Sequence, residues 1–307
     1  MSPRPASRPG VTADPQARTL VLVANGSLLE LAPHLGGSVV RYVHGGIPVL
    51  RSAAWDHPQV PIPFGMAAFP LFPFCGRIAA GRFRFDGREI ALPPNLSPEP
   101  HAIHGESWLA PWTVEAAGEH TATLVHEHPS DAWPWPYRAM QTFELTAGAL
   151  LVSLALTNKG DRPMPAGLGW HPYFPKGDAQ LEADVSALWQ PGHDKIPSGP
   201  QAIEGGSDLR TPRRVAHLDL DDAFSVGVGG SVIRWPDRKL TVRMTATVPL
   251  GHLVVFAPPA QDFFCVEPVS HAPNAVNSSL RREITGLRVL EPRETLIAQL
   301  TLAVERG

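Results

Sequence analysis

Residues 20–32, LVLVANGSLLELA, decide the fold class. Two apolar runs, Leu20–Ala24 and Leu28–Ala32, flank the dipeptide Asn25-Gly26. This dipeptide is typical of a two-residue type I′ turn, because both central residues of that turn need positive φ. The pattern therefore predicts an antiparallel β-hairpin.

Similar short apolar runs recur along the chain. Phe83–Phe85 leads into Asp86-Gly87, which predicts a second hairpin turn. The 34 prolines and 27 glycines would interrupt most helices, so only a helical turn near residues 278–284 is expected. Together these features predict an all-β chain, a large antiparallel β-sandwich with very little helix. Six more strands are predicted, at Thr121–His126, Thr142–Leu145, Leu150–Leu156, Leu240–Met244, Leu253–Phe256 and Thr295–Val304.

Composition indicates a globular protein, since 43% of the 307 residues are hydrophobic and 18% are charged. Residues 1–17 are rich in Pro, Arg and Ser, and we expect them to form a flexible N-terminal tail. No further linker is visible and large β-sandwiches often remain undivided, so residues 18–307 are expected to form one domain.

The charge and cysteine content narrow the partners and the compartment. A net charge of −3 without a basic stripe argues against a nucleic-acid partner. The chain has no apolar run of membrane-spanning length and no polybasic segment, so no membrane partner is expected. Cys75 and Cys265 lie in apolar stretches, which predicts buried free thiols and a cytoplasmic location. Monomer and homodimer both remain open.

Three segments place proton-active side chains in apolar, Pro- and Gly-punctuated surroundings: residues 101–105, 167–175 and 266–275. Glu267 ends an apolar run, where an unpaired carboxylate is costly to bury, so it has either an Arg partner or a ligand. His171 is expected at a turn or strand end with its ring in a cleft, although a core histidine is the simpler alternative. An aromatic cleft with a base, an acid and polar anchors suits a neutral sugar.

A metal centre is not expected, nor is a cofactor. Pro268 lies between Glu267 and His271, and Pro273 follows them, so no helix can present that pair as a zinc site. Two further histidine pairs, His101/His104 and His126/His128 with Asp131 nearby, lack the spacing of a known metal site.

Five segments, in order, resemble the aldose 1-epimerase (galactose mutarotase) family over about residues 20 to 304. The resemblance implies the β-supersandwich fold of that family and metal-free exchange of sugar anomers. The segments are CGRIAAGRFRF (75–85), HAIHGESWLAPW (101–112), GLGWHPYFP (167–175), LDDAF (220–224) and FCVEPVSHAPNAVN (264–277).

The resemblance also implies roles for five residues. Glu267 matches the general base and His171 the general acid of the family. His104 matches a histidine that hydrogen-bonds the sugar near its ring oxygen. Arg77 and Asp221 match residues that hold sugar hydroxyls.

Two positions depart from the family pattern. Gly76 stands where the family has Asn, and Asp222 stands where it has His. Both lie in substrate-contacting segments, so they bear on sugar preference more than on the chemistry.

The expected function is an aldose 1-epimerase that interconverts the α and β anomers of a free hexose such as glucose or galactose. The base and the acid are expected on opposite sides of C1 of the bound pyranose. The base removes the C1 hydroxyl proton while the acid protonates the ring oxygen. The ring opens, the C1–C2 bond rotates, and the ring closes on the other face.

Three alternatives remain. A hexose-6-phosphate epimerase would use basic residues such as Arg82, Arg84 and Arg88, although strand alternation puts Arg82 and Arg84 on one solvated face. A non-catalytic sugar-binding protein would bind the sugar without accelerating anomer exchange. A polysaccharide lyase or glycosidase would need two catalytic carboxylates or a tyrosine base, and only three tyrosines are present.

Overall fold

The computed structural model describes residues 19–53 and 64–307. The tail predicted for residues 1–17 lies outside the described residues. One short α-helix, α1, spans Arg282–Thr285, and single 3-10 turns span Ala79–Gly81, Ser107–Leu109, Gly205–Ser207, Val215–His217, Pro236–Arg238 and Ala275–Asn277. In chain order the described strands are β1 (Leu20–Ala24), β2 (Ser27–Ala32), β3 (Ser38–His44), β4 (Ile47–Pro48), β5 (Ala68–Leu71), β6 (Arg77–Ile78), β7 (Arg82–Phe85), β8 (Arg88–Ala91), β9 (Ala102–Ile103), β10 (Thr113–Ala117), β11 (Thr121–His128), β12 (Tyr137–Leu145), β13 (Ala149–Asn158), β14 (Met164–Ala166), β15 (Gly169–Pro175), β16 (Gln180–Trp189), β17 (Arg213–Arg214), β18 (Leu220–Trp235), β19 (Leu240–Ala246), β20 (His252–Ala257), β21 (Phe263–Val269), β22 (Arg288–Leu290) and β23 (Thr295–Arg306).

The prediction of an all-β antiparallel sandwich is confirmed. Hairpin β1–β2 turns at Asn25 and Gly26, whose φ angles are 40° and 84°, and β7–β8 turns in the same way at Asp86-Gly87. All the predicted strands are present, most of them longer at their ends than expected. The helical turn is shorter than predicted. The long strands β16 and β18 were not predicted as strands, and β15 and β21 extend past His171 and Glu267, where the sequence predicted strand ends.

One long strand, β18, connects the two halves of the main sheet. Residues 220–225 pair with β20, residues 231–235 pair with β19, and β16 runs along both parts. Between the two parts lie Gly227, Gly229 and Gly230; a Cβ at Gly230 would collide with the carbonyl of Met244. The glycines let the strand bend, so that the sheet curls around its apolar core.

The core is a continuous cluster of buried apolar side chains that extends from Leu22 on β1 to Val304 on β23. It includes the fully buried rings of Trp133, Trp170 and Trp235. Both cysteines are buried free thiols, as predicted. In the part of the chain that the structure describes, no helix is long and apolar enough to span a membrane.

Candidate active site

Five neighbouring strands, β5, β15, β21, β20 and β18, form the floor of the site. Gly169 lies opposite Val269 and Tyr173 opposite Cys265, so the antiparallel register places His171 directly opposite Glu267. Glu267 in turn lies opposite Val254 on β20. Side chains in one such cross-strand row share a face of the sheet, so these residues point to the same side.

A second row lies two residues further along the same face. It runs from Tyr173 through Cys265 and Phe256 to Asp221. The period of two along a strand puts this row beside the first. The floor therefore carries an imidazole, two carboxyl groups, a thiol and several aromatic rings, although these residues are distant in sequence.

A cavity of about 450 Å³ opens above this floor, within the range of about 300–1,000 Å³ typical of small-molecule sites. The structure brings together all five residues singled out from the sequence, since each of them lines this cavity: Arg77, His104, His171, Asp221 and Glu267.

His171 and Glu267 form a buried side-by-side pair. His171 Nε2 lies 3.3 Å from Glu267 Oε1, and both residues lie inside their strands rather than at the strand ends expected from the sequence. The ring of His171 packs between those of Phe69 and Tyr173, at centroid distances of 4.6 and 4.7 Å. Neither His171 Nδ1 nor Glu267 Oε2 has a hydrogen-bond partner among the described residues. The pair therefore retains hydrogen-bonding capacity.

Burial disfavours charge on either member of this pair. It raises the pKa of Glu267 well above its usual range; nearby Asp221 raises it further and Arg77 opposes the change. Burial lowers the pKa of His171 well below its usual range, and His104 and Arg51 add to this effect. The pair therefore holds one proton in total, and the uncharged arrangement, with the proton on the carboxyl group, is favoured in the empty site.

His104 is held as a neutral hydrogen-bond donor. It follows β9 in a tight turn with φ 63°, and a Cβ at the next residue, Gly105, would collide with the carbonyl of Phe72. The backbone N–H of Gly76 donates to His104 Nδ1 at 3.3 Å, so Nε2 carries the ring proton. Burial and the nearby Arg77 lower the pKa of His104 to about 3.

Arg77 and Asp221 belong to a network of charged groups that the sequence did not reveal in full. Arg77 Nε lies 3.1 Å from Glu99 Oε2, and Arg77 Nη2 lies 3.6 Å from Asp221 Oδ2. Lys195 Nζ donates to the same oxygen of Asp221 at 2.5 Å. Glu99 and Lys195 were missed because they reach the cavity from irregular loops that carry no motif.

The remaining motif histidines have structural roles. His101 accepts from the N–H of Ala80 at 2.9 Å, and its Nε2 lies 2.9 Å from the carbonyl of Asp194, which anchors the loop that carries Lys195. His271 accepts from the N–H of Cys75 at 3.1 Å and donates to the carbonyl of Ala272 at 2.8 Å. His101 and His271 are therefore core histidines whose ring nitrogens bond to the backbone.

His128 is the buried member of the HxH pair. Its ring nitrogens lie 3.4 Å from Glu106 Oε1 and 3.3 Å from Asp131 Oδ1, and its ring stacks on Tyr137. Among the described residues, one group of three has potential metal-ligand atoms close together: His171, Cys265 and Glu267.

The two departures from the family pattern both face the cavity. Gly76 has φ 62°, and a Cβ there would make only ordinary contacts with Pro273. A residue with positive φ and open space beside it can be Gly or Asn, so the backbone at position 76 accepts either residue. Asp222 accepts a hydrogen bond from Ser207 at 2.9 Å.

The chain matches a known protein family over almost all of its described length. The family model described as aldose 1-epimerase matches residues 20–303, almost all of the described chain. The chain belongs to the aldose 1-epimerase family. This family acts on sugars, and membership implies a carbohydrate epimerase, an isomerase.

Relatives and solved structures agree with the family and the fold. An uncharacterised Escherichia coli K12 protein, YphB, is 30% identical over 300 residues, which cover 94% of this chain and 99% of the relative. A crystal structure of a candidate aldose 1-epimerase from Escherichia coli K12 superimposes with a TM-score of 0.84 at 30% identity, covering 94% of this chain and 99% of that one. A galactose mutarotase-like protein from Clostridium acetobutylicum has a TM-score of 0.85 at 20% identity, with coverage of 94% and 95%, and supports the fold alone.

Proposed function

We propose that this chain is an aldose 1-epimerase that interconverts the α and β anomers of a free hexose such as glucose or galactose. The observation that carries the proposal is the buried cross-strand pair His171–Glu267, whose Nε2 and Oε1 atoms lie 3.3 Å apart in the floor of a small-molecule cavity. Both have buried polar atoms without partners among the described residues, as an acid and a base that await a ligand would have.

His171 and Glu267 lie side by side in the floor of the cavity. This arrangement suits the reaction, because the C1 hydroxyl oxygen and the ring oxygen are bonded to the same carbon. Glu267 accepts the proton of the C1 hydroxyl while His171 donates a proton to the ring oxygen. The bond between C1 and the ring oxygen breaks, which gives the open-chain aldehyde. After rotation about C1–C2 the two residues exchange roles, and the ring closes as the other anomer.

The single proton of the pair is sufficient for this cycle. The uncharged pair and the carboxylate–imidazolium pair contain the same number of protons and differ only in where the proton lies. A bound sugar stabilises the second arrangement, because its C1 hydroxyl donates to the carboxylate and its ring oxygen accepts from the imidazolium. Each step then returns the pair to a one-proton state, and no net exchange with solvent is needed.

Side chains in the cavity walls are suited to orient the bound sugar. His104, a neutral donor through Nε2, is suited to hold the ring oxygen. Asp221 accepts from sugar hydroxyls, and Arg77 and Lys195 donate to them. The rings of Phe64, Tyr173 and Phe263 line the same cavity and offer apolar faces to the C–H side of a pyranose.

A free hexose is favoured over a hexose 6-phosphate by the charges in the cavity. Arg82 and Arg84 are exposed on the solvated face of β7, as expected, and Arg82 pairs with Glu89. Neither they nor Arg88 belongs to the described cavity lining. The cavity lining also contains Glu99, Asp221 and Asp222, which would repel a phosphate. Its Arg and Lys side chains already have partners: Arg77 and Lys195 pair with Glu99 and Asp221, and Arg51 donates to the backbone carbonyl of Met66.

Polarimetry tests the proposal. Freshly dissolved α-glucose and α-galactose should reach their equilibrium rotation faster with the protein than without it, and glucose 6-phosphate should be a poorer substrate. A faster reaction with glucose 6-phosphate would favour the phosphate branch. Sugar binding, measured by calorimetry, without any acceleration would show a non-catalytic binding protein and refute the proposal.

A further inference from the structure

A thiol lies next to the acid–base pair and has no part in the proposed reaction. Cys265 precedes Glu267 by two residues on β21, so both side chains point to the same face of the sheet. One ligand atom from each of His171, Cys265 and Glu267 lies within 4.8 Å of the other two, and all three residues are buried. These atoms come from two adjacent strands in fixed register, so the group is part of the sheet rather than of a mobile loop.

The donor set is selective. An imidazole nitrogen, a thiolate sulfur and a carboxylate oxygen suit Zn²⁺ and related thiophilic cations, and three protein ligands leave a fourth position for water. Zn²⁺ binds nitrogen and oxygen at about 2.0–2.2 Å and sulfur at about 2.3 Å, so tetrahedral ligand atoms lie roughly 3.3–3.8 Å apart. His171 and Glu267 are already at 3.3 Å. The sulfur lies within 4.8 Å of the other two ligand atoms, so it needs to move by at most about 1–1.5 Å, a shift that rotation about the side-chain bond of a cysteine provides.

Charge also favours a dication here. Cys265 and Glu267 are both buried, and a lone anion in such surroundings is poorly solvated. A thiolate and a carboxylate together carry two negative charges, which a dication neutralises. The thiol proton and the proton of the acid–base pair are released to solvent when the metal binds.

We propose that His171, Cys265 and Glu267 form an inhibitory site for Zn²⁺ and similar thiophilic divalent cations, which enter through the sugar cavity and compete with the sugar. The metal occupies both proton-transfer groups, so it blocks anomer exchange. The inhibitory effect rests on the proposed function, whereas the binding site does not.

The binding site is tested with Co²⁺ as a spectroscopic probe. Co²⁺ added to the full chain should give a sulfur-to-metal charge-transfer band in the near ultraviolet, which Zn²⁺ abolishes by displacement. Cys265→Ser should abolish the band and weaken Zn²⁺ binding at least about tenfold, because the loss of supporting groups alone typically costs that much. Cys75→Ser is the matched control, since Cys75 is also a buried thiol but lies outside the group. That variant should keep the band.

Activity and competition provide the second test. Zn²⁺ should slow mutarotation, EDTA should restore it, and Cys265→Ser should retain activity in the presence of Zn²⁺. Saturating galactose should suppress the Co²⁺ band of the unmodified protein, a measurement that remains valid if the serine variant does not fold. The metal site is overturned if no band forms, if the band survives Cys265→Ser, or if the band disappears with Cys75→Ser. Competition with the sugar is overturned if a hexose that the protein converts leaves the band unchanged. A protein without mutarotase activity would refute the proposed function, and the Co²⁺ titration would still decide whether the metal site exists.

Discussion

Replacing Glu267 by Gln removes the proposed base while keeping the shape of the side chain. The amide cannot accept the C1 hydroxyl proton, and Asp221, the cavity carboxylate that affects Glu267 most, is already bonded to Lys195 at 2.5 Å. The other two carboxyl groups of the described cavity lining are also engaged, Glu99 with Arg77 and Asp222 with Ser207, so we expect no other group to replace the base. A positioned proton-transfer group contributes about 10²–10⁴-fold in rate, or roughly 2.7–5.4 kcal/mol of the barrier. Mutarotation measured by polarimetry should fall by that factor, with sugar affinity largely retained.

The same substitution should change the pH dependence of stability. The folded pair holds one proton, because burial raises the pKa of Glu267 and lowers that of His171. In the unfolded chain these groups titrate near about 4.3 and 6.5, so above about pH 6.5 the unfolded chain holds none of these protons. Folding then takes up one proton, and wild-type stability falls by up to about 1.4 kcal/mol per pH unit until the pH passes the raised pKa. In the Gln variant this proton is absent, so the variant should gain stability relative to the wild type as the pH rises from about 4.3 towards the raised pKa of Glu267.

Glu106→Gln is the control. Burial raises the pKa of Glu106 to about 7, but this carboxyl group accepts from Tyr137 and lies outside the described cavity lining. Ionisation of Glu106 destabilises the folded wild type increasingly from the unfolded pKa of this group up to about pH 7. The Glu106→Gln variant should therefore reach its full gain in stability over the wild type near pH 7, and its activity should be retained. Denaturant titrations at several pH values would give the stabilities. If Glu267→Gln retained near-wild-type turnover, or gained no stability relative to the wild type at any pH above about 4.3, the assignment of the base and of the shared proton would be wrong.

Three further outcomes are expected. Since burial lowers the pKa of His171 and raises that of Glu267, kcat/KM should fall on the acid side only below the usual histidine value of about 6.5 and on the alkaline side only above the usual glutamate value of about 4.3; an acid limb at or above about pH 6.5 would contradict this. Lys195→Met should raise KM several-fold with little change in kcat, because Lys195 holds Asp221, which we propose accepts hydrogen bonds from the sugar hydroxyls. An unchanged KM in initial-rate measurements would count against that role. Gly105→Ala should lower the free energy of unfolding by more than about 1–3 kcal/mol, because it adds a clash with the carbonyl of Phe72 to the strain of positive φ. Gly87→Ala has open space around the new methyl group and should cost only about 1 kcal/mol. Equal losses in thermal unfolding would refute the steric argument.

Local sequence patterns were sufficient to predict many strands of the sheet. The strands next to Asn-Gly and Asp-Gly turns were predicted because turn geometry and alternation act over a few residues. Strand β18 was missed because its central glycines look like a loop in the sequence, whereas in the fold they allow a bend within a continuous strand. The positions of His171 and Glu267 relative to their strand ends were also wrong, because the strands continue through Pro172 and Pro268, residues that usually interrupt strands.

The sequence by itself determined the β class, the principal turns and, through its motifs, which side chains we propose to carry the chemistry. These properties depend on local sterics and on the identity of each residue. Only the tertiary structure decided that His171 and Glu267 are adjacent, that Cys265 lies beside them, and that Lys195 reaches Asp221 from a loop without a motif. Strand register and burial are set by contacts between distant segments, and burial is what raises one pKa and lowers the other, so that two ordinary side chains become a pair that shares one proton.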